Sequence, residues 1–311
     1  MTVRSVVITG ATSQVGRFLL PRLEGAGIRV IALSRGRQAT PDRRGREWIC
    51  TSDSDSQERL KQSGPIDAAV HLAPLPLLPA MLPMLQAAGV NRLVAFGTSG
   101  RFYKTGSGDA AELAYIRSVV AAEDAIAAAC PELGIAWTVF RPTLVYGAGL
   151  DRNIRVIAGF VRRFGFFPVC AGGRGLRQPV HADDLAEASV RVLGCSATFG
   201  RAYNLSGGSV ISFREMVEAV FRALGRTPFL VPVPLPVFRL ALSVARRLPG
   251  FSNLSTEMAA RRGIDMIFDH DDATRDFGFT PRAFRLDAVA LGEPVPGGDG
   301  ARRPAGSDLM K

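Results

Sequence analysis

The stretch Val3-Arg4-Ser5-Val6-Val7-Ile8-Thr9-Gly10-Ala11-Thr12-Ser13-Gln14-Val15-Gly16 decides how the chain is read. Its first half is a β-rich apolar run, the pattern of a strand buried on both faces. A glycine-bearing turn follows, and a helix is expected from Val15 to Glu24. Glycines between a buried strand and a helix let backbone approach a phosphate seated on the helix N-terminus, where unpaired N–H groups and the helix dipole favour negative charge. Ser13 occupies the middle of the turn, which requires a negative φ there, and its hydroxyl is a further candidate phosphate donor.

The alternation continues outward. Strands are expected at Ile28–Leu33, Glu47–Cys50, Ala68–Leu72, Arg92–Phe96 and Ala136–Phe140, with helices at Pro76–Ala88 and Asp109–Ala129. Near-continuous apolar strands alternating with helices predict a doubly wound parallel sheet of Rossmann type over residues 1–150. Beyond Gly147 the pattern loosens. Helices are expected at Arg152–Phe164, His181–Val192 and Ser212–Leu224, the last with Ser212 and Glu215 spaced as a capping box. A short strand is expected at Tyr203–Leu205, and the four prolines of Thr227–Pro236 impose an extended path. Residues 151–290 therefore read as a small α/β substrate lobe, some of whose elements rejoin the first domain. Residues 291–311, rich in Gly and Pro, read as a disordered tail.

Composition narrows the function classes. The chain has 311 residues, 47% hydrophobic and 21% charged, which excludes wholesale disorder. Of its 38 basic residues only Lys61, Lys104 and Lys311 are lysines, and the net charge is +10. That charge points to anionic ligands, but the arginines are mostly scattered among acidic residues, so nucleic acid is not the expected partner. Cys50, Cys130, Cys170 and Cys195 form no metal-ligand pattern, and the N-terminus lacks the character of a signal peptide. No run of about 18 uncharged apolar residues exists, so a cytoplasmic protein is expected.

Candidate ligand contacts lie at the strand ends. The second strand closes on Ser34 and Arg35, and no acidic residue occurs between Glu24 and Asp42. A carboxylate there would bond a ribose 2′-hydroxyl, whereas an arginine suits a 2′-phosphate, so NADP is favoured with NAD possible. Arg35 is alternatively an ordinary surface arginine, and Arg43, Arg44 and Arg46 read as a solvated loop.

With these features, several segments resemble the extended short-chain dehydrogenase/reductase family, the NAD-dependent epimerase/dehydratase group. Thr9–Gly16 matches the fingerprint TGxxGxxG except at Ser13, giving Thr9, Gly10, Thr12, Ser13, Gln14, Val15 and Gly16 as cofactor contacts. Val70-His71-Leu72-Ala73 is similar to the family's VxHLA, whose backbone lies near adenine and ribose. Thr98 and Ser99 stand where the family places a catalytic Ser or Thr. Arg141-Pro142-Thr143-Leu144-Val145-Tyr146-Gly147 resembles RPxxVYG, implying cofactor contacts at Arg141 and Pro142 and a substrate contact at Tyr146. Arg177 through Ala186 resembles the segment whose arginine meets a substrate phosphate in relatives handling nucleotide sugars. Arg177 is equally readable as the ion-pair partner of Asp183 or Asp184, and His181 reads as packing or capping.

The resemblance implies catalysis by Tyr-x-x-x-Lys, in which an ammonium four residues along the helix lowers the phenol's pKa. Here the pattern is Tyr115-Ile116-Arg117-Ser118-Val119, and valine supplies neither charge nor hydrogen bond. Tyr115 also follows Thr98 by only 17 residues, a short interval for the family. Lys104, beside Tyr103, is the other lysine near the site, either a substitute for the missing ammonium or an ordinary loop residue. Glu112 and Glu123 read as solvated.

Two functions remain. One is an NADP-dependent oxidoreductase or epimerase/dehydratase-like enzyme acting on a nucleotide sugar or other phosphorylated metabolite. The other is a non-catalytic NADP-binding sensor or accessory subunit. A homodimer is possible. The aromatic and basic runs Phe160–Phe167 and Val237–Leu248 allow peripheral contact with an acidic membrane surface.

Overall fold

The computed structural model describes residues 3–36, 47–234, 236–237, 265–288 and 290–292. The arginine run at 37–46, nearly all of Val237–Leu248 and the tail from 293 lie outside the described residues.

Alternation along the first strand (β1, Ser5–Thr9) sends Val6 and Ile8 to one face and Val7 to the other. Both faces are covered, so each side chain is buried. The first helix (α1, Gln14–Gly25) packs on one face. Strands β2 (Arg29–Ser34) and β3 (Glu47–Cys50) follow. Next come α2 (Ser56–Gln62), β4 (Ala68–His71), α3 (Leu82–Ala87) and β5 (Arg92–Phe96). After α4 (Gly100–Tyr103) and the long α5 (Ala110–Glu132), β6 (Ala136–Pro142) completes the first six large-sheet strands.

The expected helix over Pro76–Ala88 is broken. Two 3₁₀ turns, Leu75–Leu77 and Pro79–Met81, precede α3, because Pro76, Pro79 and Pro83 cannot donate backbone bonds along a continuous helix. The sequence reading also passed over α2, a seven-residue polar helix with one buried side chain, Leu60.

The second half supplies β7 (Val145–Tyr146), α6 (Arg152–Phe164), β8 (Phe167–Val169), β9 (Leu176–Arg177) and β10 (Val180–His181). Helix α7 (Ala182–Leu193) and strand β11 (Arg201–Leu205) then return to the first domain. The large sheet has the order β11-β6-β5-β4-β1-β2-β3, every neighbouring pair parallel. The order reverses between β1 and β4, where the ends of two adjacent strands part and a crevice opens. Helices α1 and α7 cover one face; α2, α3 and α5 cover the other.

The small lobe has its own core, in which Ile154, Ile157 and Val161 of α6 meet Met216, Val220 and Phe221 of α8 (Phe213–Ala223). Both sides of the Ser212–Glu215 capping box are present. Strand β12 (Ile211–Ser212) pairs with β9. The proline-rich stretch is extended as expected: β13 (Leu230–Pro232) runs parallel to β8. A final helix, α9 (Asp271–Phe277), packs against β11.

One buried arginine fastens the end of the sheet remote from the crevice. Arg92, fully buried in β5, donates to the carbonyls of Leu93, Ala136 and Val192 and to the hydroxyls of Thr138 and Thr198. Its guanidinium lies 4.6 Å from the Phe199 ring centre. Burial pushes its pKa down to about 10, so it stays charged at neutral pH. The carbonyl at the end of α7 and the ring face both favour that cation. Arg92→Met leaves these acceptors dry and unpaired, and is expected to cost about 3 kcal/mol, read as a lowered urea midpoint.

Candidate functional site

The turn after β1 is shaped by close backbone contacts. Gly10 has φ +68°, and a Cβ on it would lie 2.7 Å from the Ala73 nitrogen. The turns after β1 and β4 thus touch at the crevice. Leu72 N–H donates to the Thr9 carbonyl at 2.9 Å, which extends the pairing one residue past β4. A Cβ on Gly16 would lie 2.1 Å from the Ala11 carbonyl oxygen, so this glycine lets α1 start tightly against the turn.

Ser13 takes φ −65°, ψ 170° and caps α1, its hydroxyl accepting from Gly16 N–H at 3.2 Å. That bond stabilises the helix by about 1 kcal/mol and leaves the hydroxyl proton free to donate. Gln14 and Val15 are the first two helical residues, whose N–H groups have no acceptor within the helix. Thr12 is exposed at the crest of the turn. Gln14 donates to the Val145 carbonyl at 3.4 Å, while its own side-chain oxygen is buried without a partner. These donors fit an anionic pyrophosphate, which the serine does not obstruct through backbone strain.

His71 fixes the adjoining strand end. Its Nε2 lies 3.2 Å from the Pro74 carbonyl, which can only accept, so the proton sits on Nε2. Nδ1 then accepts from the Thr9 hydroxyl at 2.7 Å. Burial pushes the imidazole down to about 4 from its ordinary 6.5. At the end of β2, Ser34 Oγ donates to the Gly36 carbonyl and Ser52 Oγ to the Arg35 carbonyl, leaving the Arg35 side chain exposed.

The resemblance's catalytic residues take different positions. Ser99 is buried, its N–H donating to the Pro142 carbonyl at 3.1 Å. Thr98 Oγ1 accepts from Gly100 N–H. Tyr115 is 49% exposed on α5. Val119, one turn on, is 1% exposed and packs in the core between α5 and the sheet. Lys104 Nζ lies 3.0 Å from Glu112 Oε1, and Glu112 also accepts from Ser107 Oγ at 2.7 Å. Glu112 is therefore a paired residue and not a solvated one.

Glu123 corrects the sequence reading more sharply. It is 3% exposed and forms ion pairs with Arg101 and Arg141, the Arg141 Nε donating at 2.7 Å. Both guanidinium groups lie within 6 Å of the Phe102 ring centre. Two cations around one carboxylate leave a net positive charge by the ends of β5 and β6. Arg141 thus spends its guanidinium on α5. The available signal was periodic: Tyr115, Val119 and Glu123 fall four residues apart on one stripe of α5.

In the substrate lobe, Arg177 is buried and donates to the Leu176 carbonyl at 2.7 Å. The ion pair with Asp183 or Asp184 is not formed, since those carboxylates pair with Arg22 and Arg282. Tyr146 is a packing residue, buried with its ring 5.0 Å from both His181 and Phe284. His181 caps α7, its Nδ1 accepting from Asp183 N–H at 3.1 Å. Segment 265–270 covers the loop after β5, Phe268 lying 5.6 Å from Phe102. No group of three or more candidate metal ligands occurs among the described residues.

Comparison with known proteins agrees with this geometry. The profile of the NAD dependent epimerase/dehydratase family matches residues 6–206, and the chain belongs to that family. An epimerase of Methanothermobacter thermautotrophicus superposes with a TM-score of 0.70 at 17% identity, over 94% of this chain and 90% of that one. MoeE5, solved with UDP-glucuronic acid and NAD, gives 0.66 at 21% identity, over 90% and 94%. The mitochondrial NADH dehydrogenase [ubiquinone] 1 alpha subcomplex subunit 9 of Arabidopsis thaliana is 25% identical over 274 residues, 76% of this chain. The chain spans 62% of that relative's length.

His71 gives a pH test. An imidazole held neutral contributes stability that is complete above about pH 6.5, because the unfolded ring gains its proton there and the folded ring does not. The contribution is lost as pH falls toward 4, by up to about 3 kcal/mol. His71→Gln is expected to flatten that part of the urea-midpoint profile.

Proposed function

We propose that the chain binds a nicotinamide dinucleotide, NADP in preference to NAD, and acts through binding without turning over a sugar by the Tyr–Lys route. The observation that carries this reading is Val119. It stands four residues after Tyr115, 1% exposed within the core, where the family's chemistry calls for an ammonium. Lys104, the lysine nearest by sequence, is engaged by Glu112.

Binding itself is supported by the turn around Gly10 and by the N-terminus of α1. The family supplies hydride chemistry when its cofactor is bound. This chain's residues hold the pyrophosphate at Ser13, Gln14 and Val15, and Arg35 offers a cation to a 2′-phosphate. The relative named as a subunit of a mitochondrial NADH dehydrogenase favours an accessory role, in which a bound dinucleotide stabilises the fold or reports redox state. The four cysteines form no disulfide, which suits a reducing cytoplasm.

A second reading keeps an enzyme. MoeE5 is solved with a UDP-sugar. Tyr115 is open enough to meet a ligand and would serve as the acid, with Thr98 or Ser99 polarising the substrate oxygen and Lys104 supplying charge after leaving Glu112.

Calorimetric titration followed by a sugar-nucleotide screen separates the two. Tight NADP binding, weaker NAD binding and no turnover are expected. Arg35→Ala should weaken NADP about tenfold, the loss of one charge-assisted bond, and leave NAD nearly unchanged. Val119→Lys should bring no turnover and should lower stability, since its ammonium enters an apolar core. Turnover by the native chain, or a large gain in Val119→Lys, would overturn the binding role. Failure to bind either dinucleotide would sink both readings.

A further inference from the structure

The positive charge of this chain is not evenly spread. Residues 152–182 and 219–256 together hold eleven arginines and no acidic residue. Outside them 27 basic residues face 28 acidic ones, so these two segments account for the whole excess of +10. Arg239, Arg246 and Arg247 lie outside the described residues, and the fold brings the described parts of the two segments together. Strand β8 in the first segment pairs with β13 in the second, and α6 ends beside them.

The same end of the small lobe exposes large apolar side chains. Phe164 is 45% exposed and Phe229 61%. They belong to one cluster, with ring centres 4.6 Å apart for Phe160 and Phe164, 5.6 Å for Phe160 and Phe166, and 6.4 Å for Phe166 and Phe229. On α6 the buried Ile154, Ile157 and Val161 define the inner stripe, and Arg155, Val156 and Arg163 lie exposed on the outer one. The Arg163 guanidinium sits 5.5 Å from the Phe164 ring centre, so charge and apolar surface share one patch.

We infer that this arginine-rimmed phenylalanine cluster docks on an anionic membrane surface. Phenylalanine rings supply apolar area to the headgroup boundary, and each nearby arginine adds roughly 1 kcal/mol of attraction to an anionic leaflet. A single-stranded nucleic acid would also suit arginine and phenylalanine. Here, however, the rings pack on one another as a continuous apolar cap, whereas successive bases require separate ring faces along a groove. No described helix is long and apolar enough to cross a membrane, which makes the contact one of surface and not of span. The inference is independent of dinucleotide binding.

The test is flotation of the full chain with phosphatidylcholine vesicles, with and without phosphatidylglycerol. Association with the anionic vesicles and none with neutral ones is expected. Arg155→Gln with Arg163→Gln should weaken it about 30-fold, roughly 1 kcal/mol per arginine. Phe164→Ser with Phe229→Ser should weaken it at least about tenfold. Both variants should keep the native unfolding midpoint within a few degrees, since all four side chains are exposed. Failure to float with anionic vesicles, undiminished flotation of either folded variant, or stronger capture by an RNA oligomer than by vesicles would overturn the inference.

Discussion

The closeness of two backbone turns at Gly10 is the constraint from which the crevice follows. Any side chain there would drive its Cβ to 2.7 Å from the Ala73 nitrogen, and the φ of +68° is itself costly for other residues. Because the turns touch, Leu72 can donate to Thr9, and His71 can pack deep enough to bond the Thr9 hydroxyl. Burial then keeps that imidazole neutral, as its acceptor role at Nδ1 requires. Helix α1 begins at the same corner, so its free N–H groups face the crevice without any long loop to position them. Ser13 fits because the turn asks for extended backbone at that position, which an ordinary residue adopts without strain.

Arginine does much of the structural work in a chain nearly devoid of lysine. A planar guanidinium spreads its donors over several fixed directions and is less strongly hydrated than an ammonium, so it can be buried where a lysine would be costly. Arg92 uses this among neutral acceptors, and Arg101 and Arg141 use it around Glu123. Arg22 and Arg282 bind the carboxylates of α7, tying α1 and the segment after α9 to that helix. At Val119 the same scarcity of lysine has the opposite consequence. One turn after the exposed Tyr115 the helix turns Val119 into the core, and the charge further along the same stripe comes from arginines around Glu123.

The parallel sheet, the glycine turn and most helix boundaries were legible because they depend on local signals: apolar runs, glycine, serine caps and proline. The broken helix before β5 was misread through its hydrophobicity, although three prolines stood in it. Glu123 was misread as solvated because an acid on an alanine-rich helix, here followed by Asp124, says nothing about the two arginines that meet it. Arg101 lies 22 residues before it and Arg141 18 residues after, and only the packing of α5 across β5 and β6 brings them together. Tyr146 matched a motif yet packs between His181 and Phe284, because the pairing of β7 with β10 turns the motif inward.

By itself, the sequence determined the α/β class, the glycine turn between β1 and α1 and the absence of a lysine four residues after Tyr115. Each depends on residues adjacent in the chain, where backbone geometry and spacing leave few choices. Only the tertiary structure decided which charges are matched, that Lys104 is held by Glu112, and that Arg177 is not held by the carboxylates of α7. It also decided that β8 and β13, in two acid-free segments separated by 36 residues, pair side by side. Those outcomes arise from distances between elements, which the chain sets by packing its cores and which no local pattern encodes.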